Sequence, residues 1–238
     1  MPRIVKMKMI VKKQVLKSQT KEAIKQDRKI RKSILEKYSF CTSFNKKFIE
    51  IRSDRDCFYY VEKEVPKKGV IIDLGCGHGY FSNYLYKKSN KRKIIGIDND
   101  FRKIPLARKS VAPGEKISFI VGDITKSKIP LADAVVMMDV LYQLPNKEKE
   151  LLIKKIYDSL KKGGTLIFKD TTEVGKIKLL KARLREMLVI SVLRRKPSFR
   201  LYYVNYDYWV NLVKKFKFKN ISIKQKDRTP MIIITAKK

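Results

Sequence analysis

The sequence contains a single histidine and three cysteines, Cys41, Cys57 and Cys76, and no C-x-x-C pair. That is too few sulfur and imidazole ligands, too far apart, for a structural zinc site, and no metal is expected. Three cysteines also make no disulfide framework, which fits a reducing compartment and predicts a cytoplasmic protein. No apolar run approaches the roughly 20 residues that a bilayer span requires. The N-terminus, MPRIVKMKMIVKKQVLK, is basic, but lysines break its apolar run every few residues, so it lacks the core of a signal peptide. Low-complexity segments and internal repeats are absent as well.

Acidic residues are scarce. There are 23 of them against 57 Lys and Arg, for a formal net charge of +34 over 238 residues. The excess sits at the flanks. Residues 1–69 carry net +12 and residues 171–238 net +14, whereas the central 70–170 carry only +8. Such flanks suit an anionic partner: a phospholipid surface, RNA or an acidic small substrate. Hydrophobic residues make up 44% of the chain, enough for a full core, and the length fits one α/β domain with an added segment.

The hydrophobic pattern divides the chain. Residues 1–12 alternate loosely between apolar residues and lysine, as in a short strand or a tail. Residues 17–38 read as a basic helix, and a second helix is predicted near 54–64. From 70 onward strands and helices alternate. VIIDL (70–74), KIIGID (93–98), ISFIVGD (117–123), AVVMMD (134–139) and TLIFKD (165–170) are the strands. Helices are predicted at 79–88, 102–110 and 146–164, the last capped by Asn146 and closed by Gly163. Near-continuous apolar strands joined by helices indicate a parallel sheet covered on both faces. Residues 171–205 break the rhythm with a long basic helix expected at 177–196. A helix at 206–216 and a hairpin of 221–226 with 231–237 close the chain.

One stretch carries chemistry. IIDLGCGHGY (71–80) runs from a strand into Gly75-x-Gly77-x-Gly79. Glycines at such a turn let backbone approach a ligand and leave N–H groups free at a helix start. The spacing is not the G-x-G-x-x-G of dinucleotide sites, and no Gly-Lys-Ser/Thr follows to make a P-loop. Asp73 precedes the turn, and Asp98 and Asp123 end the next two strands. A carboxylate at the end of the second strand can accept hydrogen bonds from ribose hydroxyls, and one at the end of the third from an adenine amino group.

With these residues in place the chain resembles the class I S-adenosylmethionine-dependent methyltransferases. The resemblance rests on IIDLGCGHGY, IIGIDND, ISFIVGDI, ADAVVMMDVLYQLP, the helix running into KKGG, and TLIFKD. It covers 70–170 and, more loosely, the final hairpin. It implies a Rossmann-like three-layer sandwich around a seven-stranded, mostly parallel sheet with an antiparallel C-terminal hairpin. The domain would span 70–238, with 1–69 a basic helical extension and 171–205 a basic helical insertion or lid. It also implies S-adenosylmethionine as cofactor. Asp73, Gly75, Cys76, Gly77 and Gly79 would line its methionine end, Asp98 and Asn99 its ribose, and Asp123 and the Ile124 backbone its adenine. Asp139 or Val140 would lie beside the sulfonium. Asp139 and Tyr142 are the candidate catalytic residues. Asp170 is either a base or the cap of a following helix, and His78 a solvent-facing or cofactor-adjacent bystander.

The acceptor is less legible. An apolar stretch, MLVISVL, lies within 177–196 between Arg183 and Arg185 on one side and Arg194, Arg195 and Lys196 on the other. Such a helix can rest on an anionic membrane surface or simply cover the site. YYVNYDYW (202–209) can stack bases, wall a small pocket or be the buried side of a helix. The expected acceptor is a small molecule or lipid, methylated on O or N. RNA is the alternative partner, and a non-catalytic binding protein of the same fold is a third reading.

Overall fold

The computed structural model describes residues 11–15, 21–53, 57–172, 201–225 and 231–238. The expected helix at 177–196 therefore lies outside the described residues. Three helices open the chain after a short strand: β1 (Val11–Val15), α1 (Lys21–Glu36), α2 (Ser43–Ser53) and α3 (Cys57–Glu62). The alternating part follows as β2 (Gly69–Leu74), α4 (Tyr80–Lys88), β3 (Arg92–Asp98), α5 (Ile104–Lys109), β4 (Ile117–Val121) and β5 (Ala132–Met138). A single 3-10 turn (Leu141–Gln143), α6 (Asn146–Ser159), β6 (Leu160–Thr171), α7 (Tyr206–Lys215), β7 (Lys219–Gln225) and β8 (Met231–Lys237) complete it.

One sheet runs in the order β1-β7-β8-β6-β5-β2-β3-β4. Every pairing is parallel except those of β8, which runs against both β6 and β7. The expected seven-stranded sheet with its antiparallel hairpin is thus present. An eighth strand, β1, adds to its edge beside β7.

The continuous apolar strands are explained by burial on both faces. Neighbouring residues of one strand enter opposite cores: Ile72, Val135, Leu166 and Ile234 pack with α6 and α7. Ile71, Val136, Ile167 and Ile233 pack on the other side with Ile34 of α1 and Tyr38 just after it, and with Val61 and Leu85 from α3 and α4. A strand buried on both faces has no polar side to show in sequence.

Two expectations are corrected. The helix 146–164 ends at Ser159, and Leu160 already pairs with Ala132 as the first residue of β6. Gly163 does not close a helix. It sits in the strand with φ +76°, where its N–H donates to the Lys238 carbonyl, and Lys238 N–H donates back to Gly164. The C-terminal backbone captures KKGG for the sheet. Asn146 is the first helical residue rather than the cap, which is Pro145. The second correction is α2, which the hydrophobic pattern does not reveal. Among its residues of described burial, Ile49 is the one fully buried, while Phe44 and Ile51 are more than half exposed.

Away from the loop ends, Arg92 is fully buried at the start of β3. It donates to Glu62 (2.9 Å) and to the carbonyls of Val65, Pro66 and Leu85 (3.0, 2.7 and 2.6 Å). These bonds tie the linker before β2 to the sheet. Arg92→Met removes one donor from the buried Glu62 carboxylate, which keeps Lys67, and one from each of three carbonyls. It is expected to cost about 3–5 kcal/mol, read as a lower urea midpoint with an unchanged slope.

Candidate functional site

A cavity of about 240 Å³ lies at the carboxyl ends of β2, β3, β4 and β5. In open α/β sheets ligands bind there, because loops diverge from the strand ends and helix N-termini point inward. Asp73, Gly75, Cys76, Gly77, Asp98, Asn99, Asp123, Ile124 and Asp139 all line it. Two of the sequence-derived site residues, Gly79 and Tyr142, do not.

Asp98 organises the floor. One carboxylate oxygen accepts from Gly77 N–H (2.8 Å) and the other from Asp100 N–H (2.8 Å). The glycine turn is therefore held by the same acid that the ligand would meet. Gly77 has φ +56°, and a side chain there would point into open space. Gly79 serves packing instead. It caps α4, and the Phe119 ring and Ala107 lie against its Cα.

The acids differ in charge state. Burial pushes Asp73 up to about 7, against the opposing hydrogen bond from Ser82 Oγ (2.6 Å), and the nearby Asp98 charge adds to the rise. Asp123 is held below the usual carboxylate range, chiefly by Thr125, whose hydroxyl (2.7 Å) and N–H (2.8 Å) both donate to it. Asp139 adopts φ +60° and is ion-paired with Lys169.

The wall opposite the strand ends comes from residues the sequence did not single out. α2 supplies Phe48, Ile49 and Arg52, α3 supplies Phe58, and the loop after β3 supplies Lys103. Gln143 and Leu144, at the end of the 3-10 turn, close the side next to Asp139. The one available signal was the i, i+4 spacing of Phe44, Phe48 and Arg52, too short to assign. Among the described residues no three His, Cys, Asp or Glu side chains converge on a metal position.

His78 lines the cavity rather than facing solvent. It is 8% exposed, and its ring lies 5.4 Å from that of Phe48. Tyr38 Oη donates to its carbonyl (2.8 Å), pinning the turn to the chain just after α1. Burial, then the Lys103 charge, lowers its pKa to about 4. The unfolded imidazole gains its proton below about 6.5, whereas the folded one stays neutral down to about 4. The unfolded state thus binds more protons in that window, and His78 withdraws stability as pH falls from about 6.5 to 4. It is the chain's single histidine, so its ring resonances are unambiguous. An NMR titration is expected to place its midpoint near 4. A midpoint near 6.5 would mean an exposed ring.

Tyr142 is withdrawn as a catalytic candidate. It is 2% exposed, its ring stacks on Tyr203 (centroids 5.5 Å apart), and it is not among the residues lining the cavity. Asp170 is fully buried, lines no part of the cavity, and accepts from the N–H groups of Tyr142 (3.1 Å) and Thr171 (2.6 Å). It is therefore no cavity base, and the helix it was expected to cap lies outside the described residues. In 202–209 the buried side of a helix is what the structure shows: Trp209 packs on Phe168 (5.0 Å) inside the core.

Comparison with known proteins bears on the domain and the fold. A family model described as "Methyltransferase domain" matches residues 71–164. Carboxy-S-adenosyl-L-methionine synthase of Campylobacter curvus is 36% identical over 109 residues, 45% of this chain and 47% of that protein. Malonyl-[acyl-carrier protein] O-methyltransferase of Priestia megaterium is 35% identical over 98 residues, 41% and 35% of the two chains. The chain thus spans less than half the length of these curated relatives. Among solved structures, magnesium protoporphyrin IX methyltransferase from Synechocystis PCC 6803 with bound SAH superposes with a TM-score of 0.58 at 16% identity, covering 94% of this chain and 90% of that one. Residues 71–164 thus match a methyltransferase domain, and the chain shares the fold of solved S-adenosylmethionine-dependent methyltransferases.

Proposed function

We propose that the protein binds S-adenosylmethionine in this cavity and transfers its methyl group to an O or N atom of a small-molecule or lipid-like acceptor. The observation that carries the proposal is the cavity itself. The acids at three successive strand ends and the glycine turn line one side, and an aromatic wall from α2 and α3 faces them. A walled cavity of this size favours a small acceptor, or the end of a lipid, over a nucleic-acid strand.

When bound, the cofactor supplies a methyl group already activated by its sulfonium. The protein must then align the acceptor and exclude water. Asp98 would accept from the ribose hydroxyls while its oxygens hold Gly77 and Asp100. Asp123 and the Ile124 backbone would meet the adenine. The open space at Gly77 would admit the methionine end, beside Asp73. Phe48, Ile49 and Phe58 would keep water from the acceptor. Asp139 is the carboxylate positioned to receive an acceptor proton. Arg52 and Lys103 add positive charge to the wall, which favours an acceptor with an anionic group.

A second reading has a specific observation behind it. Carboxy-S-adenosyl-L-methionine synthases match 45% and 42% of this chain at 36% and 38% identity, and on that reading the protein alters the cofactor rather than an acceptor.

The test is isothermal titration with S-adenosylmethionine, then incubation with methyl-labelled cofactor and pooled organic acids, anionic phospholipid vesicles or RNA. Binding followed by label in an organic acid or lipid supports the proposal. Label in RNA transfers the activity to the alternative acceptor. A cofactor product heavier by one carboxyl group establishes the second reading. A folded protein that binds no cofactor overturns both.

A further inference from the structure

The segment from Asp139 to Leu144 forms one side of the cavity, yet most of what fixes it lies behind the cavity, in the core. Asp139 N–H donates to the Lys169 carbonyl (3.0 Å), and its carboxylate pairs with the Lys169 ammonium. One residue further along β6, the Asp170 carboxylate accepts the Tyr142 N–H (3.1 Å). The Tyr142 carbonyl accepts from Tyr202 N–H (2.7 Å), and the Tyr202 carbonyl accepts from the Lys149 ammonium. Lys149 belongs to α6 and is fully buried. Its charge acts back on Asp170.

We propose that Asp170 is a positioning residue: from inside the core its carboxylate holds the cavity-lining turn after β5 in the geometry that binds cofactor, with Lys149 as its distant counter-charge. The inference rests on the S-adenosylmethionine reading above for its binding arm only. A fully buried carboxylate with two backbone donors is more than packing requires, since an apolar residue would fill the space without desolvating a charge.

Among the described residues three charged groups act on Asp170: Asp139 from the turn, Lys169 from its own strand and Lys149 from α6. Its register partner on β8, Ile232, is apolar. Burial first, then the Asp139 charge, pushes Asp170 up to about 7, against the Thr171 N–H and the two lysines. Both of its oxygens accept N–H donors, so the ionised form holds the turn better than the protonated one. The turn is therefore expected to tighten as pH rises through about 7.

The experiment uses the full chain with S-adenosylmethionine as the probe. Native-state hydrogen exchange gives the Tyr142 protection factor, and titration calorimetry the cofactor Kd, each at several pH values from 6 to 8.5. In the wild type both protection and affinity are expected to rise across neutral pH. Asp170→Asn keeps the shape and one acceptor but loses the charge. It is expected to lower Tyr142 protection and cofactor affinity about tenfold at pH 8, to flatten the Tyr142 protection profile while Asp73 still bends the affinity profile, and to leave thermal stability unchanged or higher. Lys149→Met removes the counter-charge without touching Asp170, and is expected to move both profiles to higher pH. Unchanged profiles in both variants overturn the proposal, as does a wild type with no pH dependence. If the wild type binds no cofactor, the methyltransferase reading fails, and the Tyr142 protection profiles still decide the role of Asp170.

Discussion

Asp98→Ala is expected to weaken S-adenosylmethionine binding by about 100-fold or more while the protein stays folded. The carboxylate has two tasks. Its oxygens receive the Gly77 and Asp100 amides, each a charge-assisted bond worth about 1.5–3 kcal/mol, and it faces the cavity where a ribose would lie. Alanine removes the ligand contact and also frees the glycine turn, so the two losses compound. The core is spared, because Asp98 is the last residue of β3 and its neighbour Ile97 carries the packing. Asp98→Asn keeps the shape and an acceptor, and is expected to lose roughly tenfold. Titration calorimetry with a parallel circular dichroism melt checks both. A wild-type Kd in the alanine variant would remove Asp98 from the site.

Gly79→Ala is expected to lower the melting temperature by roughly 5–15 °C. Its φ of +74° costs an L side chain about 1–2 kcal/mol. The new methyl would also lie 2.3 Å from Phe119 Cζ and 3.0 Å from Ala107 Cβ, an overpacking cost of about 1–3 kcal/mol more. Gly77→Ala is the contrast. It has a similar φ of +56° but meets nothing within 4 Å, so its stability loss stops at the backbone term. Its methyl enters the cavity, so cofactor affinity is expected to fall about tenfold or more while the melt moves only a few degrees. Two glycines of one motif would then give opposite signatures, one in stability and one in binding. Equal melting shifts for the two variants would contradict this division.

That division separates what was legible in the chain from what was not. The sequence by itself determined the alternating strands and helices, because burial on both faces leaves near-continuous apolar runs. It also placed the glycine turn and the acids at strand ends, because those positions need particular residue types. Tertiary structure decided the rest. The extent of α6 depended on Lys238, a residue far along the chain that draws KKGG into the sheet. Among its residues of described burial, α2 carries a single fully buried side chain, and it is a wall only because of what it faces. Gly77 and Gly79 share one motif, and only the neighbours of each separate a ligand-facing glycine from a packed one. Tyr142 and Asp170 appear near the site in sequence because one follows β5 and the other lies at the end of β6. Their side chains instead point into the core, where desolvation and hydrogen-bond partners, invisible to local pattern, set their role.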